Sequence, residues 1–104
     1  MPNFDNREKA FEDMYARDAD LRFKVLARRD KLAGLWAADK LGITGAAADD
    51  YAKSVILADL EKPGDEDIVA KLVGDLGERA TDTEVRAQLQ VAFIEAERQF
   101  REAA

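Results

Sequence analysis

The sequence predicts an all-α protein: a compact four-helix bundle with a long first helix. Ala, Glu, Leu, Lys, Arg and Asp dominate its 104 residues, and β-branched residues are few, which favours helix over strand. Apolar residues recur at spacings of three and four in four successive segments. Short connections rich in turn residues separate those segments. One domain of four packed helices satisfies all three observations.

The first predicted helix is too long for a domain of this size. Residues 5–41 contain no Pro and a single Gly, Gly34. A continuous helix of this length would measure roughly 55 Å, whereas a compact chain of this size has a radius of gyration of about 13 Å. One end must therefore project or fray. The apolar stripe breaks at Arg17 and Asp18, where we place the boundary.

The N-terminal end is the part that we expect to project. Residues 1–18 form an arm that is flexible or marginally helical when free, because short isolated helices are marginal in water, and residues 19–104 form the four-helix domain. Large apolar side chains in the arm are costly to expose unless a partner receives them. The alternatives are a solvated extension without a role, or an arm folded back on the bundle. The apolar residues are Phe4, Phe11, Met14 and Tyr15.

The other three helices are bounded by turn chemistry. Gly42 ends the first helix and Gly77 the third, while the Lys-Pro-Gly-Asp turn at 62–65 is the strongest breaker. A Thr-x-x-Glu capping box at Thr81 and Glu84 starts the last helix. The predicted ranges are about 45–60, 65–76 and 81–103. The candidate core is Leu21, Val25, Leu32, Leu35, Trp36, Tyr51, Val55, Ala58, Ile68, Leu72, Leu76, Val85, Leu89, Ala92, Phe93, Ala96 and Phe100.

Composition excludes several classes of protein. The chain has no Cys, so neither a disulfide framework nor a thiolate metal site can form. It lacks the apolar core of a signal peptide and any run of 18 apolar residues, so we expect a cytoplasmic protein with no direct membrane insertion. Its net charge of −6 argues against nucleic-acid binding, which needs concentrated positive charge.

Charge is unevenly spread along the chain. The basic section contains Arg28, Arg29 and Lys31, which could form a docking face for an acidic partner. Alternatively, sections of opposite sign pair within the bundle. The net charges are −3 for residues 1–20, +4 for 21–41, −5 for 42–80 and −2 for 81–104.

The sequence gives only weak signals for catalytic or metal-binding residues, so we predict that the chain is not an enzyme. It has no His, and its single serine, Ser54, lies within a predicted helix with no base partner. The acidic groups at 49–50 and 65–67 suit the positive ends of helices, without the spacing of a calcium loop. We therefore expect no metal site. The glycines form no nucleotide-binding motif.

Three segments resemble the zeta subunit family, the inhibitor subunits of the F-type ATP synthase in alphaproteobacteria. They are FDNREKAFE at 4–12, ARRDKLAGLWAA at 27–38 and PGDED at 63–67. The resemblance covers nearly the whole chain. Its most specific parts are the two arginines before Gly-x-Trp and the Pro-Gly-Asp-Glu-Asp turn.

The resemblance implies that the N-terminal arm inserts into the catalytic head of the synthase. It would wedge at an interface between α and β subunits, next to the central γ stalk, and block ATP hydrolysis, placing the protein in the cytoplasm, peripheral to the inner membrane. Weak nucleotide binding stays open, with no residue assigned to it. The predicted contact residues are Phe4, Asp5, Arg7, Glu8, Phe11, Met14 and Tyr15, with Arg28, Arg29 and Lys31 as a second docking patch.

Two other functions compete with inhibition. In a non-enzymatic adaptor, the bundle face around Arg28, Arg29 and Lys31 would bind a partner and the arm would be incidental. A weak nucleotide-binding helical domain is the third candidate. Removal of the arm separates the first two hypotheses, because only the inhibitor would lose its effect.

Overall fold

The structure, a computed structural model, describes residues 3–60 and 64–103, with side chains from Glu8 onward. This part of the chain is all-helical, without strands, as predicted. It measures 46 × 27 × 26 Å, and none of its helices is long and apolar enough to cross a bilayer. The helices are α1 (Asn3–Arg17), α2 (Ala19–Lys40), α3 (Gly45–Leu60), α4 (Glu66–Leu76) and α5 (Asp82–Ala103), with a 3-10 turn at Gly77–Arg79.

The count of four helices is corrected to five in the described residues, because the long first helix is two helices. Asp18 has an extended backbone (φ −107°, ψ 103°), and its side chain accepts hydrogen bonds from two backbone N–H groups in the first turn of α2. It is therefore the N-cap of α2. The Arg22 guanidinium donates to the carbonyls of Tyr15 (3.0 Å) and Ala16 (2.8 Å) at the end of α1. These contacts stabilise the break between the two helices.

The remaining helix boundaries agree with the prediction. Gly42 and Gly77 follow α2 and α4 with positive φ angles of 76° and 56°, which glycine adopts without strain. The capping box at the start of α5 is present: Glu84 N–H donates to Thr81 Oγ1, and Thr81 N–H donates to Glu84 Oε1, both at 3.1 Å.

The main core lies where α2 packs against α3 and α5, with α4 closing it. Gly34 allows the closest approach, since a Cβ there would lie 2.8 Å from the Ala52 Cα. Trp36 packs on this core, half-buried. The buried residues of the main core are Ala33, Ala37, Val55, Ile68, Val69, Leu72, Leu76, Ala80, Val85, Leu89 and Ala92.

A second apolar cluster joins α1 to the body and corrects the expectation of a projecting arm. Phe11 is only 4% exposed and packs with Val25 of α2 and Ala96 of α5. The break at Asp18 brings α1 beside α2 and α5, which offer a slot that the linear sequence does not reveal. Burying a phenylalanine gains about 1.5–3 kcal/mol, enough to favour docking over projection. The half-buried members of the cluster are Tyr15, Leu21, Leu32, Phe93 and Phe100.

Candidate partner-binding site

Some of the predicted contact residues of the arm lie on the inner face of α1 and some on its outer face. Others have side chains that the structure does not describe. The side chains of Phe4, Asp5 and Arg7 lie outside the described residues. Glu8 is half-buried. Met14 is 48% exposed. The structure therefore brings only some of this predicted set to the surface.

Phe11 and Tyr15 form the inner face of α1, one helical turn apart. The Tyr15 ring meets Phe93 of α5 edge to face, with ring centroids 6.1 Å apart and planes at 78°. Such a pair is worth about 0.5–1.5 kcal/mol beyond its buried area. Burial, together with the nearby charge of Glu97, raises the pKa of the Tyr15 hydroxyl. This face attaches α1 to the body.

Acidic residues at the edge of this contact oppose it. Burial raises the pKa of the Glu97 carboxyl on α5, and the charges of Glu12 and Glu8 on α1 raise it further, while Arg101 lowers it. Docking of α1 thus brings like charges together. Moreover, α1 contacts α2 and α5 far less extensively than α2 contacts α3. We infer that α1 is the least firmly attached helix, of the kind that opens before the rest of a domain.

The second predicted docking patch does not form a continuous surface, which corrects the prediction for Arg29. Its side chain is buried, and its guanidinium pairs with Asp30 (2.9 Å), Asp59 (3.3 Å) and Asp65 (3.0 Å). A buried arginine needs such partners. The alternative of pairing between sections of opposite charge is confirmed for this residue.

Arg28 and Lys31 are the members of this patch that remain accessible. Arg28 is half-buried; it donates a hydrogen bond to Gln99 of α5, and its guanidinium lies 5.1 Å from the centre of the Phe100 ring. Lys31 is exposed. Both line a shallow cavity of about 310 Å³ with Phe23 and Phe100. A smaller basic and aromatic surface is therefore available.

Sequence reasoning missed an exposed apolar surface on α2 and α3. Phe23 is 51% exposed, Leu57 62% and Leu60 52%. Phe23 and Leu60 also line a cavity of about 410 Å³ between these helices. In the sequence, Phe23 lies outside the apolar stripe formed by Leu21 and Val25. An aromatic residue outside the stripe was the signal that could have indicated this exposed surface.

Ser54, the single serine, has a structural partner. Ser54 donates a hydrogen bond to the Tyr51 carbonyl (2.6 Å) within α3. A cavity of about 390 Å³ is lined by Arg29 and Arg86, but both guanidiniums already contact carboxylates, which a phosphate would have to displace. The described residues contain no group of three or more Asp or Glu arranged to hold a metal ion.

Comparison with known proteins identifies the family. A family model described as ATPase inhibitor subunit zeta matches residues 1–99. A solved structure described as "Solution NMR structure of the protein" is 40% identical, with a TM-score of 0.75, and the match covers 81% of this chain and 99% of that one. Comparison with curated proteins returned no match.

Proposed function

The chain belongs to the ATPase inhibitor subunit zeta family, and from this premise we propose that it blocks ATP hydrolysis by inserting α1 into the F-type ATP synthase. The contact would lie at an interface between α and β subunits near the central γ stalk. The protein would act from the cytoplasm, attached to the inner membrane only through the synthase. An inhibitor subunit needs no catalytic residues of its own.

The observation that carries this mechanism is the construction of α1. It is a separate helix of 15 residues, joined to α2 through the single non-helical residue Asp18. Its charged outer face and limited contact with the body suit a segment that can change partners. A helix is about 10–12 Å wide with side chains, whereas the whole molecule is 26 Å or more in each direction. Only the helix suits a narrow cleft.

The same face of α1 would serve both the body and the synthase. Positions 4, 7, 11 and 15 follow one another at helical spacings of three and four, which places Phe4, Arg7, Phe11 and Tyr15 on one side of a helix. Aromatic and arginine side chains are the usual anchors of protein interfaces. Because Phe11 is already buried against α2 and α5, α1 must leave the body before these anchors can reach the synthase.

An ATP hydrolysis assay tests the proposal. Purified cognate ATPase is titrated with the full chain and with a chain lacking residues 1–18, and circular dichroism checks that the shortened chain remains helical. We expect the shortened chain to lose inhibition. Equal inhibition by the two chains would favour the adaptor function. A peptide of residues 1–18 should inhibit far less well than the intact protein, since it lacks the docking body.

The adaptor alternative has one observation in its favour. The exposed side chains of Phe23 and Leu60 line one cavity between α2 and α3, and no residue of α1 lines it. This surface could bind a partner while α1 stays docked. Substituting Phe23 and Leu60 by Ser would then abolish binding of that partner, and the truncation would not.

A further inference from the structure

A buried cluster of ionisable groups joins α2, α3 and the start of α4, and the proposed function makes no use of it. The Arg29 guanidinium lies at its centre. Nε donates to Asp30 Oδ1 (3.0 Å), Nη1 to Asp65 Oδ1 (3.0 Å) and Nη2 to Asp59 Oδ2 (3.3 Å). The cluster therefore holds three carboxylates around one positive charge.

Two of the three carboxylates are withdrawn from water. The side chain of Asp30 is 2% exposed and that of Asp59 13%, whereas that of Asp65 is 56% exposed. Both buried carboxylates approach the same nitrogen, Nη2 of Arg29. Two adjacent buried carboxylates that share one cation cannot both ionise without a large cost. A proton on Asp30 removes that excess charge and allows Asp30 to donate a hydrogen bond to Asp59.

The groups around Asp30 support this assignment. Burial raises the pKa of Asp30 to about 8; the hydrogen bond and charge of Asp59 act in the same direction, and Arg29 opposes them. On α5, Arg86 lines the same cavity as Arg29 and Asp65 but pairs with Glu66 and Asp82. On α1, the charge of Arg29 acts to lower the pKa of the Tyr15 hydroxyl. Glu61 and Lys62 lie outside the described residues.

We propose that this cluster is a proton-dependent lock, in which a proton on Asp30, donated in a hydrogen bond to Asp59, holds α2 against α3, and in which loss of that proton loosens the junction. The proton neutralises one of the two buried carboxylates, so that the interior holds less negative charge around Arg29. Without the proton, Asp59 at the end of α3 is repelled by Asp30. The junction should then open towards the cavity lined by Phe23 and Leu60.

The direction of the pH effect follows from proton linkage. The folded chain keeps the proton up to about pH 8, whereas an unfolded chain releases it near an ordinary Asp pKa of about 4. The folded state binds more protons over this window, so the contribution to stability is complete below the unfolded pKa and falls as pH rises through the folded one. The whole chain has no His and no Cys, which leaves the α-amino group as the other group whose ordinary pKa lies near 8.

The first test measures thermal unfolding of the full chain between pH 6 and pH 9. We expect the midpoint to fall by on the order of 10 °C across this range. Asp30→Asn imitates the protonated carboxyl and should flatten the curve. Asp65→Asn is the matched control: it removes a more exposed carboxylate from the same arginine and should keep the slope. N-terminal acetylation removes the contribution of the α-amino group. A flat curve for the natural chain, or an unchanged slope in Asp30→Asn, would overturn the proposal.

A second measurement does not depend on how the variants fold. Carbon-13 NMR of the carboxyl groups in the natural chain follows the titration of Asp30 directly. We expect a midpoint near 8 for Asp30. A midpoint near 4 for Asp30 would show that it is ionised in the folded chain at neutral pH, and the lock would be wrong. Amide hydrogen exchange in α3 should accelerate above pH 8 in the natural chain relative to Asp30→Asn at the same pH.

Discussion

Two of the helices that pack on α2, namely α3 and α1, are attached to it in very different ways. Its junction with α3 is extensive, includes the close approach at Gly34 and contains the buried Arg29 cluster. Its junction with α1 depends on Phe11, the half-buried Tyr15 and a few surrounding apolar side chains, with acidic residues at the rim. The difference separates an extensive contact that holds the core together from a small one that can be exchanged, and an inhibitor that inserts a helix needs both.

The largest effect on stability that we expect is in the main core. Leu72 of α4 is fully buried in the main core, so Leu72→Ala should leave a cavity and lower the free energy of unfolding by roughly 2–5 kcal/mol. Urea denaturation followed by circular dichroism measures this change. A loss below about 1 kcal/mol would mean that this core is no firmer than the α1 contact, and the comparison would fail.

Phe11→Ala should have a smaller effect on stability and a larger one on inhibition. Truncating a fully buried Phe usually costs about 3–5 kcal/mol. Here the loss cannot exceed the free energy of docking α1, so we expect no more than the gain from burying a Phe, about 1.5–3 kcal/mol. If Phe11 is also an anchor for the synthase, the variant should inhibit about 5- to 150-fold less well. Urea denaturation and the hydrolysis dose–response measure the two effects.

Met14→Ala is the matched control for Phe11→Ala, since Met14 lies on the same helix but is about half exposed. It should change the stability little. If Phe11→Ala destabilised the domain as much as Leu72→Ala, α1 would belong to the main core and would not be exchangeable.

The fold was largely predictable because its local signals are strong. Turn residues defined α3, α4 and α5 to within a residue, and the apolar stripes identified most of the core. The break between α1 and α2 was visible as a polar interruption at Arg17 and Asp18, but its consequence was not. Periodicity shows that Phe11 needs apolar side chains to pack against. It does not show whether those side chains belong to the same chain or to a partner.

The burial of Arg29 was less predictable for a related reason. Three basic residues within four positions resemble a surface patch, and nothing in the local sequence distinguishes Arg29 from Arg28. The distinction comes from Asp59 and Asp65, which are 30 and 36 residues away and approach only when α3 and α4 have packed on α2. Ion pairs between distant segments are set by tertiary structure.

A substitution on the body side should strengthen inhibition. Phe93→Leu removes the aromatic contact with Tyr15 while leaving α1 itself unchanged. If docking hides the binding face, a larger undocked fraction raises the apparent affinity for the synthase in proportion, and we expect inhibition at roughly 2- to 10-fold lower concentration. Val91→Ala, at an exposed position of the same helix, should change nothing. Weaker inhibition by Phe93→Leu would indicate that α1 acts without leaving the body.

The smallest effect concerns the acidic rim. Because burial and the charges of Glu12 and Glu8 raise the pKa of Glu97, docking favours its protonated form. The docked state is therefore stabilised at low pH, and this contribution is lost as pH rises through the raised pKa. The change should be modest, since water and salt screen charges at the edge of a contact. Amide hydrogen exchange in α1 should quicken with pH beyond its intrinsic rate in the natural chain, and less so in Glu97→Gln. Identical protection in the two proteins at every pH would show that Phe11 and Tyr15 alone decide whether α1 is docked.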